Sequence, residues 1–273
     1  MYNRELQIID TQEKAYLLGL FYADGNIGEN ETQCRITLKE EDYNLIFHLK
    51  SIFPFFYIHK YEYRHTIELG NYNKKLKEDL ILNGCLPRKS TCNRNMLHIP
   101  SISDTLIRHF IRGYYDGNGG CTVSNLESIK KTQKRVYIYS ASYYLLKEIQ
   151  EILNKNNIKT NNLPNVDTSD KIKVYKLTIR TASYKDFYNF IYNDCTVVLT
   201  RKITKLKFII DNTNFFTKKV SPPCIFCHSH HTVCDGTYYK VNLQRYLCRN
   251  CNKIFTAPLN SNIQSGEGEL LED

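Results

Sequence analysis

The feature that constrains this chain most is a short apolar stretch that occurs twice. The first copy, residues 15–25, has the sequence AYLLGLFYADG. Its small residues, Ala15, Gly19 and Ala23, recur at every fourth position and therefore share one face of a helix. A face of small residues lets a second helix approach closely. The stretch thus predicts a buried helix that packs against another helix through Gly19.

The two ends of this helix can also be predicted. Thr11 or Asp10 can cap its start, and Gly25 is a usual stop residue. Asp24 then lies at the C-terminal end, where the negative pole of the helix dipole disfavours a carboxylate unless a cation binds there. A cation site is therefore expected at Asp24.

The second copy, residues 110–120, has the sequence FIRGYYDGNGG. Aligning Gly113 with Gly19 places Asn118 on Asp24 and Gly119 on Gly25. Two helices packed through Gly19 and Gly113 would bring Asp24 and Asn118 side by side at one end. One copy alone would fit an ordinary pair of core helices equally well.

The segments that follow each copy repeat in the same order, which indicates an internal duplication. Hydrophobic periodicity predicts, after the first copy, a strand at 33–39, a helix at 42–53, strands at 57–63 and 66–69, and a helix at 72–83. After the second copy it predicts a strand at 135–140, a helix at 143–154, strands at 158–163 and 173–180 around a polar loop at 165–170, and a helix at 183–192 capped by Ser183. Arg88 and Lys89 align with Arg201 and Lys202.

The two motifs and their sequels resemble the single-chain LAGLIDADG homing endonucleases, over about residues 13–208. The resemblance implies an α+β class, with duplicated αββαββα half-domains that form a pseudo-twofold, DNA-binding saddle. The expected domains are residues 1–105 and 106–217 for the two half-domains, 218–258 for a zinc-ribbon-like module and 259–273 for an acidic, disordered tail.

The resemblance also implies that the outward faces of the strands contact double-stranded DNA. Arginine in the major groove reads guanine, and glutamine reads adenine. For any one of these side chains the alternative is an ordinary solvated surface. The candidates are Gln33, Arg35, Lys39, Lys60, Tyr61, Arg64, Arg135, Tyr137, Lys173 and Arg180.

In the family, the last acidic residue of each motif and the carbonyl before it bind catalytic Mg²⁺. These positions are Asp24 with Ala23, and Asn118 with Gly117. Lys89 and Lys202 match pocket lysines, which would stabilise charge on the phosphate or position water. The alternative for each lysine is a phosphate contact without a catalytic role.

Asn118 is the departure from the family pattern. An amide oxygen can ligate Mg²⁺, but it carries no charge and accepts no proton at neutral pH. Asp116 lies two positions earlier and points roughly 200° around the helix, so it could substitute only if the helix unwinds. Strand cleavage is therefore expected to be asymmetric, or the protein to bind nucleic acid without cutting.

A second motif lies near the C-terminus, where Cys224-x2-Cys227 and Cys248-x2-Cys251 are separated by 20 residues. Four thiolates at this spacing predict a structural, tetrahedral Zn²⁺ site. His228, His230, His231 and Cys234 are possible competing ligands, although none improves the spacing. Residues 218–258 carry six lysines or arginines and one acid, a net charge of +5 that suits a phosphate backbone. The alternative is a ribbon that only stabilises the C-terminus.

Composition limits the class of partner and the compartment. The net charge of +9 favours a polyanion but does not separate nucleic acid from an anionic membrane. The sequence has no signal-peptide pattern and no long apolar run, so an intracellular protein is expected. Ten cysteines would then stay reduced, and the six outside the zinc motif would be small core residues.

These observations favour a monomeric, site-specific DNA endonuclease of the homing type with catalytic Mg²⁺ and structural Zn²⁺. The alternative is a DNA- or RNA-binding protein, such as an intron maturase or a regulator, that keeps the same saddle and does not cut.

Overall fold

The computed structural model describes residues 2–29, 31–87, 89, 96–126, 131–162, 165–166, 174–213, 221–238 and 243–258. The chain divides into two compact units, Met1–Phe215 (the first unit) and Phe216–Asp273 (the ribbon unit). The predicted tail at 259–273 lies outside the described residues, as do Arg88 and Lys173.

The first half of the first unit begins with the first motif helix. Thr11 caps this helix, because its side chain accepts the Lys14 amide hydrogen. The elements are α1 (Gln12–Asp24), β1 (Gly25–Ile27), β2 (Cys34–Lys39), α2 (Tyr43–Ile52), β3 (Tyr57–Tyr61), β4 (Thr66–Asn71) and α3 (Lys74–Leu82).

The second half repeats this order and adds one helix. Ser103 caps its first helix by accepting the Thr105 amide hydrogen. The elements are α4 (Asp104–Asn118), β5 (Gly119–Leu126), β6 (Lys131–Ser140), α5 (Tyr143–Lys155), β7 (Asn165–Val166), β8 (Val174–Ile179), α6 (Tyr184–Tyr192) and α7 (Thr200–Asp211). The predicted α+β class and the αββαββα order of both halves are confirmed.

Each half contains a four-stranded antiparallel sheet. The strand orders are β1-β2-β4-β3 and β5-β6-β8-β7, so the two sheets share one topology. In β2, Cys34, Ile36 and Leu38 are buried in the core, whereas Thr37 and Lys39 are exposed. One face of the sheet therefore packs on the helices and the other stays outward.

Several details of the second half differ from the sequence expectation. The sequence predicts a strand at 158–163, but within its described part, 158–162, only Thr160 forms a bridge, to Ile179. Residues 165 and 166 were placed in a loop, yet they pair with β8. Ser183 makes no cap hydrogen bond, because its hydroxyl accepts the Lys159 amide hydrogen instead. Each of these contacts joins residues that are at least eight positions apart, and the periodicity of a single segment does not detect such pairing.

The ribbon unit is a three-stranded antiparallel sheet with the order β11-β10-β9. Its strands are β9 (Thr232–Tyr238), β10 (Leu243–Cys248) and β11 (Ile254–Pro258). Its buried core consists of Cys224, Tyr246, Cys248 and Phe255, with the two aromatic rings stacked at 5.5 Å. So small a core needs an additional source of stability.

The six other cysteines behave unequally. Cys34, Cys85 and Cys121 are buried, as predicted, and Cys195 is half-buried. Cys234 is exposed, so its prediction as a core residue is wrong. Cys92 lies outside the described residues. Among the described residues, none of the helices is long and apolar enough to cross a membrane.

Candidate active site and nucleic-acid interface

The two motif helices cross with their backbones in contact. A Cβ added to Gly19 would lie 2.1 Å from the Phe110 carbonyl oxygen, and one added to Gly113 would lie 2.0 Å from that of Tyr16. Both distances are far below a normal van der Waals contact, so only glycine fits at either position. The crossing fixes the relative position of the C-terminal ends of α1 and α4.

At those ends, Asp24 lies against the last turn of α4. A Cβ on Gly117 would lie 2.8 Å from Asp24 Oδ2, and Asn118 follows in the same turn. Burial raises the pKa of Asp24, while the positive charges of Lys89, Lys202 and Arg201 act to lower it. Among the described residues, none donates a hydrogen bond to the Asp24 carboxylate. This acid is thus desolvated and close to cations, but without a direct partner.

Lys89 closes the C-terminus of α1. Its Nζ donates to the carbonyl oxygens of Phe21, Tyr22 and Ala23 at 2.6, 2.7 and 2.7 Å. These bonds use all three donors of the ammonium group. Burial lowers the pKa of Lys89 to about 8. The lysine therefore acts on the site through its charge, and it satisfies carbonyls that a helix end leaves unpaired.

Lys202, on α7, occupies the corresponding place at the end of α4. Its Nζ donates to the Gly119 carbonyl oxygen and lies 5.9 Å from the centroid of the Tyr115 ring. Burial lowers its pKa as well. Among the described residues, the Gly119 carbonyl is the only hydrogen-bond partner of the Lys202 ammonium group, so further N–H groups of this side chain are available to a phosphate.

Arg201 holds α7 against the first half. Its Nε and Nη2 contact both oxygens of the buried Asp42, with bonds of 2.8, 2.9 and 3.0 Å. The sequence indicates the Arg201-Lys202 pair but does not indicate that Arg201 binds Asp42, because 159 residues separate the two.

Asp116 is not part of the candidate centre. Its carboxylate is fully buried and accepts hydrogen bonds from the Tyr16 and Tyr192 hydroxyls at 2.8 and 2.6 Å and from the Leu199 amide at 2.8 Å. Burial raises its pKa to about 6. Because α4 stays helical to Asn118, Asp116 points away from Asp24 and cannot substitute for Asn118.

The groups around Asp24 fit a hard divalent cation. The donor set predicted from the sequence would consist of oxygens only: the Asp24 carboxylate, the Asn118 amide and the carbonyls of Ala23 and Gly117. Mg²⁺ and Ca²⁺ prefer such ligands. The Ala23 carbonyl already accepts one bond from Lys89, which leaves its second lone pair.

The outward face of the first sheet is polar and partly ordered. Gln33, directly before β2, donates from Nε2 to the Tyr57 and Tyr72 hydroxyls at 3.2 and 2.9 Å. Arg64 is exposed, with its guanidinium carbon 6.0 Å from the Tyr61 ring centroid. Pairing places the following residues on this face: Asn26, Arg35, Thr37, Lys39, Tyr57, His59, Tyr61, Thr66, Glu68 and Gly70.

Lys60 requires a correction. The prediction put Lys60 and Tyr61 on the same outward face, but neighbouring residues of a strand point to opposite faces. Lys60 pairs with the buried Ile67 and forms an ion pair with Glu40 at 2.7 Å. It therefore lies at the margin of the inner face.

The second sheet presents a more basic outward face. Arg135 and Arg180 are exposed, and Arg180 Nε donates to the Thr160 carbonyl oxygen at 3.1 Å. Sequence reasoning missed Lys176, although strand alternation back from Arg180 would have found it. Pairing places the following residues on this face: Thr122, Arg135, Tyr137, Tyr139, Lys176 and Thr178.

The ribbon unit brings the four predicted cysteine ligands together. All four sulfur atoms lie within 4.8 Å of one another. The two Cys-x2-Cys loops have matching geometry, because the Phe226 and Asn250 amides each donate to the first sulfur of their loop at 3.4 Å. Such bonds stabilise thiolates, and four thiolates at this separation fit tetrahedral Zn²⁺. No histidine joins the cluster among the described residues.

Comparison with known proteins agrees with this description. Residues 105–192 match the family model described as a LAGLIDADG-like domain, which confirms the resemblance in the second half. No curated protein matches the chain in sequence.

Three solved structures are similar to parts of this chain. I-DmoI in complex with DNA and Ca is 19% identical over 75% of this chain and 100% of its own, with a TM-score of 0.49. I-AabMI, a LAGLIDADG meganuclease bound to uncleaved DNA, is 12% identical over 72% and 89% of the two chains (TM-score 0.49). I-LtrWI, a LAGLIDADG homing endonuclease bound to target DNA, is 13% identical over 73% and 90% (TM-score 0.47).

Proposed function

We propose that this chain, which carries a LAGLIDADG-like domain, is a site-specific DNA endonuclease that hydrolyses phosphodiester bonds at a long target. The observation that carries the proposal is the meeting of the two motif helices. Asp24 lies against Gly117, one residue before Asn118, and the positive charges of Lys89 and Lys202 act on its carboxylate. Two outward sheet faces that carry arginine, lysine and hydroxyl side chains would hold the duplex in place.

Asp24, Lys202 and Lys89 would have different roles in hydrolysis. Asp24 and the neighbouring oxygens would hold Mg²⁺, which supplies charge neutralisation at the phosphate and an activated water. Lys202 has N–H groups available to stabilise the charge that develops on the phosphate. Lys89 contributes positive charge from a fixed position, since its donors are engaged by α1.

The test is cleavage of supercoiled plasmid that carries a target selected from a DNA library, in Mg²⁺. Asp24→Asn should abolish cleavage and keep target affinity within about tenfold, roughly 1.4 kcal/mol. Asp10→Asn is the matched control, because Asp10 precedes the same helix at its far end and, in the described part of the chain, forms an ion pair with Lys14 alone. Undiminished cutting by Asp24→Asn would refute this active site.

Asn118 leads us to propose that the two strands are cut at different rates. The phosphate that depends on Asp24 would be hydrolysed first, so nicked circles should accumulate before linear product. Asn118→Asp should speed the second cut, although two close carboxylates should destabilise the protein in metal-free buffer. Adding Mg²⁺ should restore stability. Equal cutting of both strands by the natural protein would contradict the proposal.

The same residue favours a second candidate function. With an uncharged amide in place of an acid, the chain could bind DNA or RNA through the same sheets without hydrolysis. Selection of a defined site by a chain that leaves the plasmid intact in Mg²⁺ would establish this alternative.

We also propose that the ribbon unit holds Zn²⁺ and adds DNA contacts outside the main interface. Its exposed Arg249 and Lys253, and the net charge of +5 over residues 218–258, support an electrostatic contribution. Replacing both residues with glutamine should weaken binding and flatten its salt dependence. An unchanged salt slope would refute the contribution.

A further inference from the structure

The shared topology of the two sheets allows their positions to be matched one by one. Gly25 pairs with Ile36 and Gly119 with Ile138, so these two isoleucines correspond. Ile36 then pairs with Leu69, and Ile138 with Leu177. The residues directly before these leucines are Glu68 and Lys176. A carboxylate and an ammonium group therefore occupy the same outward position in the two halves.

Glu68 lies at the centre of the first outward face but is almost completely covered, at 2% exposure. Its Oε1 accepts a hydrogen bond from the Tyr57 hydroxyl at 3.0 Å, and its Oε2 lies 3.5 Å from the Tyr61 hydroxyl. The Tyr57 ring can reach Glu68 because it lies over Gly70, where a Cβ would come within 2.5 Å of the ring. Buried in this way, Glu68 cannot itself reach a base.

Arg35 is the exposed partner of this buried acid. Its guanidinium lies 3.7 Å from Glu68 Oε2, and its side chain is 37% exposed. An arginine beside a fixed carboxylate loses rotational freedom, and the Arg35 side chain stays partly exposed to solvent. In the major groove an arginine held in this way can donate two hydrogen bonds to guanine O6 and N7. An unrestrained arginine would instead follow the nearest phosphate.

The matching position of the second half is built differently. Lys176 Nζ lies 4.4 Å from the centroid of the Tyr137 ring and 5.3 Å from that of Tyr139. Two aromatic faces hold the ammonium group in place and do not neutralise its charge. In the first sheet this position holds an acid, Glu68, which restrains the neighbouring Arg35. In the second sheet the same position holds a cation, Lys176.

We infer that Glu68 is a positioning residue for DNA recognition, which holds Arg35 against a guanine, and that Lys176 is the corresponding base-contacting residue of the second sheet. The inference rests on the proposed function, since it assumes that these faces bind duplex DNA. According to this inference, the two halves of the DNA target are read differently because Glu68 and Lys176 occupy equivalent positions in the two sheets.

The experiment uses the full chain and a pool of randomised DNA duplexes, selected by binding in Ca²⁺ so that cleavage does not interfere. The variants are Glu68→Gln, Arg35→Lys, the double variant and Lys176→Met. Glutamine keeps an acceptor for Tyr57 and removes the charge, so folding should be preserved; thermal unfolding checks this.

Glu68→Gln and Arg35→Lys should each lower the preference for guanine at one and the same position by about tenfold. The double variant should lose no more than either single variant, because both act on one contact. Glu68→Gln should also steepen the slope of log affinity against log salt by about 0.9, since a released Arg35 gains a phosphate. Lys176→Met should change preference only in the other half-site.

An unchanged preference in Glu68→Gln, or an equal loss at every position, would overturn the inference and leave the proposed function intact. A natural chain that selects no sequence would refute the proposed function itself, and the inference with it.

Discussion

Gly113→Ala should separate the two motif helices. The new Cβ would lie 2.0 Å from the Tyr16 carbonyl oxygen, and an ordinary contact begins near 3.4 Å, so the helices must move apart by about 1.4 Å at the crossing. The obstacle is backbone, which cannot rotate away as a side chain can. Overpacking costs about 1–3 kcal/mol, and a contact with main chain belongs at the upper end.

For the first unit, about 3 kcal/mol should lower Tm by about 6–12 °C. The same movement displaces Asp24 from Asn118 by about an ångström, which can cost about 100-fold in rate. Thermal unfolding and plasmid cleavage at 25 °C measure the two effects in separate experiments. Gly28→Ala is the control, because its closest contact, with the Glu31 Cβ at 3.1 Å, requires a shift of only about 0.3 Å and involves no helix backbone. A Gly113→Ala protein that matches this control in Tm and in rate would refute the reasoning.

Three further predictions follow from other parts of the chain. Purified protein should contain one zinc ion per chain, and the Cys248→Ser variant should lose it. Because the ribbon core has only four buried side chains among the described residues, the variant's ribbon unit should become sensitive to protease while the Tm of the first unit stays unchanged. An ordered, metal-free ribbon would contradict this. Burial and the charges of Arg112 and Arg108 lower the pKa of His109 to about 4 in the folded protein. Between about pH 6.5 and pH 4 the unfolded chain therefore binds a proton that the folded chain does not, so stability should fall as the pH drops through this range. His109→Gln should show a shallower decline in Tm over the same range, and an identical decline would exclude His109 as a cause. Asp42→Asn should cost about 1–2 kcal/mol in urea unfolding, because it weakens charge-assisted bonds to the half-exposed Arg201; Glu41→Gln, whose acid lies 3.9 Å from Arg201, should cost less than Asp42→Asn.

Much of the first unit could be predicted because its information is local. The spacing of Gly19 and Gly113 indicates a close helix contact, and the order of apolar patterns repeats after each motif. Thr11 and Gly25 mark the ends of α1 by residue type alone. Such signals extend over a few residues and depend little on the remainder of the fold.

The partners and the burial of individual charged side chains could not be predicted in this way. Asp116 is bound by Tyr16 and Tyr192, which are 100 and 76 residues away, and nothing near Asp116 indicates either partner. Lys60 was misplaced for a simpler reason, since adjacent strand residues were assigned to one face. Glu68 could not be predicted, because a single acid in a strand belongs to no sequence motif. It is distinguished only by its contacts with the Tyr57 and Tyr61 hydroxyls, which depend on the folded sheet.

The bond between Arg201 and Asp42 has a consequence for engineering of this protein. One partner belongs to the second half and the other to the first, so each half carries one residue of a contact that it cannot complete alone. A chimaera that exchanges one half for that of a relative would leave Asp42 buried without its cation, or Arg201 without its acid. Exchange of half-domains should therefore succeed only when the incoming half supplies the missing member of the pair.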